Sequence, residues 1–204
     1  MRLLLTRHGE TEENKKGILQ GWRQGTLTEK GKSQAKRLAQ KLKDIHIDVI
    51  YTSDLKRCLD TARIIAQYRP NTIVIATKDL RERGLGVFEG RKVGREDWDA
   101  LPGDFYNNRP KGGETYCEVW KRIKRFYARL LKMYGSETVL VVSHGGTLLL
   151  LQGVIQSLTI EQALAKENQK HAAISEFEIT DKEYKMNCFN CITHLRGVNK
   201  NATP

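Results

Sequence analysis

Two histidines stand in matching surroundings. Arg7-His8-Gly9 follows the apolar run Leu3-Leu4-Leu5, and Ser143-His144-Gly145-Gly146 follows Thr138 to Val142. Each apolar run reads as a buried parallel strand. Residues just past the carboxyl end of such a strand face the ligand crevice of an open α/β sheet. An imidazole there can act as a nucleophile or proton carrier near neutral pH. Arg7 adds a planar, permanently charged fork suited to phosphate or carboxylate, and Gly9 allows close backbone approach. An Arg-His pair after one strand is ordinarily just a loop; its repetition after a second strand is what marks these positions.

Further segments join them in order. They are Asn14; Gly21-Trp22 with Leu27-Thr28-Glu29-Lys30-Gly31; and Ser53-Asp54-Leu55-Lys56-Arg57-Cys58-Leu59-Asp60-Thr61-Ala62. Leu80-Arg81-Glu82-Arg83 comes next, with Gly86 and Glu89-Gly90, then Gly112-Gly113-Glu114-Thr115 and Ser143-His144-Gly145-Gly146. This ordered set resembles the signature of the histidine phosphatase superfamily, the phosphoglycerate mutase-like proteins, over residues 1–195. The resemblance implies a three-layer α/β/α sandwich with a mostly parallel sheet. It also implies a phosphohistidine on His8. No metal or other cofactor is expected, because arginines and histidines supply the positive charge that a metal otherwise would.

Cleaving a phosphate monoester needs an in-line nucleophile, positive charge on the equatorial oxygens and a proton for the leaving alcohol. His8 is the candidate nucleophile, kept neutral by repulsion from Arg7 and Arg57. Arg7, Arg57 and a cationic His144 would clamp the phosphoryl group. By resemblance, Glu82 protonates the leaving oxygen and then activates water, with Glu89 as a rival. Asn14, Gln20, Gly21, Arg83, Gly145 and Gly146 complete the expected substrate contacts. His46, His171 and His194 are assigned no chemistry. The sequence departs from its relatives at Gln24-Gly25-Thr26, where many carry an acidic residue and a proline. It departs again at His171, where asparagine is common.

The reaction expected is hydrolysis of small phosphorylated metabolites. The alternatives are a cofactor-dependent phosphoglycerate mutase and a non-catalytic phosphate-binding module. Mutases usually carry a longer insertion between the Glu82 and Glu114 motifs, and a pseudoenzyme would be expected to have lost one of the five catalytic candidates. Arg91, Lys92, Arg95, Arg109 and Lys111, in a lid-like stretch over about 84–113, are either a subsite for a second anionic group or a solvated basic loop.

The elements needed to place these residues are legible in periodicity. Helices are expected over 27–43, 55–68, 114–133, 148–155 and 161–168. Strands are expected at Leu3–Leu5, 47–51, 72–76 and 138–142, followed by an antiparallel hairpin of 172–179 with 184–188. The chain has 204 residues, 39% hydrophobic and 29% charged, as in ordinary globular proteins. One domain over 1–195 and a disordered tail over 196–204 are expected. No apolar run approaches the length of a membrane span and no secretory leader is visible, so the expected location is the cytoplasm, with the four cysteines reduced. Cys188 and Cys191 lack the second pair a metal site would need. The net charge of +11 comes from basic residues spread along the chain. For most of them that reads as a lysine-rich solvated surface; the partner expected is a small anionic phosphorylated substrate, not nucleic acid or membrane, for a monomer or homodimer.

Overall fold

The computed structural model describes residues 1–180 and 183–196. In chain order its longer elements are β1 (Arg2–Arg7), α1 (Glu12–Lys16), α2 (Glu29–Leu42), β2 (Val49–Ser53), α3 (Lys56–Ala66) and β3 (Ile73–Thr77). Then come α4 (Arg95–Asp99), α5 (Tyr116–Met133), β4 (Thr138–Ser143), α6 (Gly145–Ile155), α7 (Ile160–Leu164), β5 (Ile174–Ile179) and β6 (Tyr184–Cys191).

The strands form one mixed sheet in the order β3-β2-β4-β1-β5-β6. The β3-β2, β2-β4 and β4-β1 pairings are parallel, and those of β5 with β1 and β6 are antiparallel. Alternate residues of one strand serve opposite faces, and two cores result. Leu3 and Leu5 pack with Val139, Val141 and the apolar faces of α5 and α6; Leu4 packs with Ile50, Leu140 and the apolar faces of α2 and α3. The architecture is the α/β sandwich expected.

The two longest helices have legible starts. Thr28 accepts from the Gly31 N–H to open α2, and Thr115 with Glu118 forms a reciprocal capping box at α5. Close crossing fixes the loop after β1: a Cβ on Gly9 would lie 2.4 Å from the Gly31 carbonyl oxygen, and one on Gly31 would lie 2.0 Å from that of Glu10. Only glycine at both positions lets the start of α2 press against the His8 loop.

Several elements differ from expectation: α2 begins at Glu29 rather than 27, α3 ends at Ala66 rather than 68, and β6 runs on to Cys191 rather than 188. α1 is an addition to the expected helices, because a five-residue helix with no buried residue has no apolar period to read. α6 begins at Gly145 rather than Leu148, and α7 ends at Leu164 rather than near 168. The hairpin turn closes through the Thr180 N–H to the Glu183 carbonyl; Asp181, Lys182 and the polar segment 197–204 lie outside the described residues. Among the described residues no helix is long and apolar enough to cross a membrane.

Candidate active site

β1 and β4 lie side by side in parallel, with Arg7 paired to Ser143. That register puts His8 and His144 one residue past adjacent strand ends, and the His8 N–H extends the ladder to the Ser143 carbonyl at 3.0 Å. The two ring centroids are 5.3 Å apart. Arg57 enters from the first turn of α3 after β2, and Glu82 from the turn after β3. Four parallel strands thus deliver their carboxyl ends to one crevice, as an open α/β sheet should.

A cavity of about 390 Å³ opens there, with Arg7, His8, Asn14, Gln20, Arg57, Glu82 and Gly146 around its polar end. His8 is buried, and its Nδ1 lies 2.7 Å from the Gly9 carbonyl oxygen. That acceptor assigns the ring proton to Nδ1 and leaves the Nε2 lone pair available for attack. Burial is the largest influence holding His8 well below the usual histidine range, with Arg57 and Arg7 adding repulsion. The expected direction holds, but desolvation outranks the arginine charges.

His144 differs from expectation. Arg57 Nε donates to its Nδ1 at 3.1 Å, so the ring proton sits on Nε2, which donates to Ser53 Oγ at 2.9 Å. Burial, then Arg57 and His8, push its pKa well below the usual value. The ring is therefore neutral rather than cationic. It stands behind the cavity wall and steadies Arg57, whose Nη2 also donates to the Gly21 carbonyl at 2.9 Å.

Arg7 Nη1 donates to the Gln169 carbonyl at 3.2 Å, while its buried Nε has no acceptor in the protein. Glu82 sits at the N-terminus of α6. Its Oε2 accepts from the Gly146 N–H at 3.1 Å; its Oε1 accepts from the Arg83 N–H at 3.0 Å and Thr147 Oγ1 at 3.2 Å. The rival Glu89 is spent on structure: its Oε1 accepts from the Trp22 and Leu85 N–H groups, each at 2.9 Å.

Of the other expected contacts, Asn14, Gln20, Arg83 and Gly146 line the cavity, whereas Gly21 and Gly145 do not. Arg83 is buried, donating from Nε to the Glu114 carbonyl at 2.8 Å and from Nη2 to Asn108 Oδ1 at 2.8 Å. None of the five basic lid residues lines the cavity. Arg109 pairs with Glu118 and Arg95 with Asp99, which settles those two as surface ion pairs.

Two residues here escape sequence reasoning. His171, assigned no chemistry, has its ring centroid 5.5 Å from that of His8, and its Nε2 is 3.1 Å from Asn14 Oδ1. That oxygen also takes the Thr11 N–H and hydroxyl, so the Asn14 amide NH₂ is the group left to face the cavity. Gln169 is wholly buried, donates to the Leu5 and Ala173 carbonyls, and fixes the carbonyl that receives Arg7. The one available signal is His171 standing where relatives often have asparagine.

The chain matches the model of the histidine phosphatase superfamily (branch 1) over residues 3–192. It is 31% identical over 204 residues to a metal-independent phosphoserine phosphatase of Arabidopsis thaliana, covering 96% of this chain and 84% of that one. It is 40% identical over 151 residues to phosphoserine phosphatase 1 of Hydrogenobacter thermophilus, covering 71% of each. A 2,3-bisphosphoglycerate-dependent phosphoglycerate mutase of Brucella melitensis is 34% identical over 179 residues, covering 81% of this chain and 86% of its own. The crystal structure of the alpha-ribazole phosphatase from Shigella flexneri superposes with a TM-score of 0.85 at 29% identity, covering 93% of this chain and 96% of that one.

Proposed function

Because the chain belongs to the histidine phosphatase superfamily, we propose that its phosphatase activity runs through a phosphohistidine on His8, with Glu82 carrying the proton. The protein is a phosphoric monoester hydrolase. The observation that carries the proposed mechanism is the pairing of an unprotonated His8 Nε2 with the guanidinium groups of Arg7 and Arg57 in one cavity, Glu82 lining the same space.

In the first half-reaction the His8 Nε2 lone pair forms an N–P bond and the P–O ester bond breaks. The leaving oxygen takes a proton from the Glu82 carboxyl group. Arg7 and Arg57 hold the equatorial oxygens, where charge concentrates in the transition state. In the second half Glu82, now a carboxylate, takes a proton from water. The oxygen of that water bonds to phosphorus and the N–P bond breaks, restoring His8 and protonated Glu82. Splitting one displacement into two is the benefit of the covalent route. In this reading His144 positions Arg57, and Asn14, Gln20, Arg83 and Gly146 contact substrate. The substrate is a small anionic phosphomonoester, no metal takes part, and the location is the cytoplasm.

The test is phosphate release from a panel of phosphorylated metabolites, with and without chelator, for the natural sequence and His8→Ala. Release that survives chelation and vanishes in the variant supports the reading. Isomerisation of phosphoglycerate with little free phosphate contradicts it.

A further inference from the structure

Besides the phosphate-binding groups, the cavity lining includes Leu19, Trp98, Phe105, Tyr116, Leu149 and Leu164. Among the described residues, the only cation lining it besides Arg7 and Arg57 is Arg83. That guanidinium donates from Nε to the Glu114 carbonyl and from Nη2 to Asn108, and lies 4.2 Å over the Tyr116 ring. Trp98 is held edge-on by Phe88, ring centroids 4.9 Å apart, with Arg83 over its ring at 5.4 Å. Trp98 and Tyr116 are thus held by their neighbours, while Phe105 rests against Tyr106 and Tyr116 and is 56% exposed.

We infer that the alcohol half of the preferred substrate carries an apolar, ring-sized group. The inference rests on the phosphatase reading above. An amino acid or hydroxy acid phosphate brings no such ring and leaves Trp98 and the leucines facing water. An apolar ring removes its own surface and that of Trp98 and the leucines from water. The volume of about 390 Å³ falls in the range of small-molecule sites and exceeds what a bare phosphate needs.

Three primary-alcohol esters separate the possibilities: ethyl phosphate, 2-phenylethyl phosphate and phosphoserine. All three release primary alkoxides, so differences report recognition. The expected result is a kcat/KM for 2-phenylethyl phosphate more than about tenfold above each of the others. Trp98→Ala should lower it about tenfold, mainly through KM, with a much smaller loss on ethyl phosphate; Leu164→Ala should show the same split. A preference for phosphoserine, near-equal rates on all three, or equal losses on the ring-bearing and ethyl esters would overturn the inference and leave the phosphatase reading standing. Release from none of the three, nor from the wider metabolite panel, would remove both.

Discussion

In the proposed mechanism His8 attacks, and its immediate neighbours suit that role: a carbonyl that takes the Nδ1 proton, a buried setting, and two guanidinium groups that oppose a second proton. Neutral buried histidines also tie stability to pH. His8 and His144 lie well below the ordinary value of 6.5, and His171 is pushed down to about 4, first by burial and then by Arg7. Above pH 6.5 these groups are neutral both folded and unfolded, so they add no pH dependence. As pH falls from 6.5 toward 4 the unfolded chain binds protons that the folded one refuses, and stability is lost. Thermal melts should show Tm falling across that window, with a shallower fall in His171→Gln. A second expectation concerns the Asn14 amide. Without the His171 N–H its oxygen keeps only the Thr11 donors. His171→Ala should raise KM several-fold with a smaller change in kcat, and His171→Asn should restore most of the affinity. Equal loss of kcat and KM effects in both variants would contradict that positioning role. Arg7 and His8 can be found from sequence because strand and motif coincide. His171 and Gln169 cannot, because their meaning comes from a bridge between Arg7 and His171 that joins residues far apart in the chain.

At the scale of elements, the start of α6 does two things at once, since its first turn caps the sheet crevice and holds Glu82. A Cβ on Gly146 would sit 2.8 Å from Glu82 Oε1, so the flexible carboxylate must swing away. Alanine is also the better helix former by about 1 kcal/mol. Gly146→Ala should therefore keep or raise Tm while lowering kcat, up to about a hundredfold if the proton carrier is fully displaced. A variant with unchanged kcat would argue that Glu82 is not placed by this contact. At the other long helix, Thr115→Ala removes the cap of α5 and should cost about 1 kcal/mol in chemical denaturation. Helical spacing makes α2, α3 and α5 legible. The Gly145-Gly146 pair instead suggests a break before the helix, because small residues needed near Arg7 and Glu82 weaken the local helix signal. Elements with a continuous apolar face can be read from sequence; elements cut short or trimmed for function cannot.

Over the whole molecule, strand order lies beyond periodicity. Alternating strands and helices predict a layered α/β protein, but β4 inserted between β2 and β1 follows from no local pattern. The lid is legible as a region without regular period, yet its five basic residues stay off the cavity wall while Trp98 and Phe105 help to form it. The excess charge of +11 should act at long range, drawing phosphorylated anions toward the crevice. Screening shortens that reach, so kcat/KM should fall as ionic strength rises while kcat changes little. The central claim is chemical, and its direct test is to trap the half-reacted enzyme. Rapid acid-free quenching during turnover of a ³²P-labelled ester, followed by peptide mapping, should place acid-labile, base-stable phosphate on the peptide containing His8 and none in His8→Ala. Label on any other residue, or undiminished phosphate release by His8→Ala, would contradict the account.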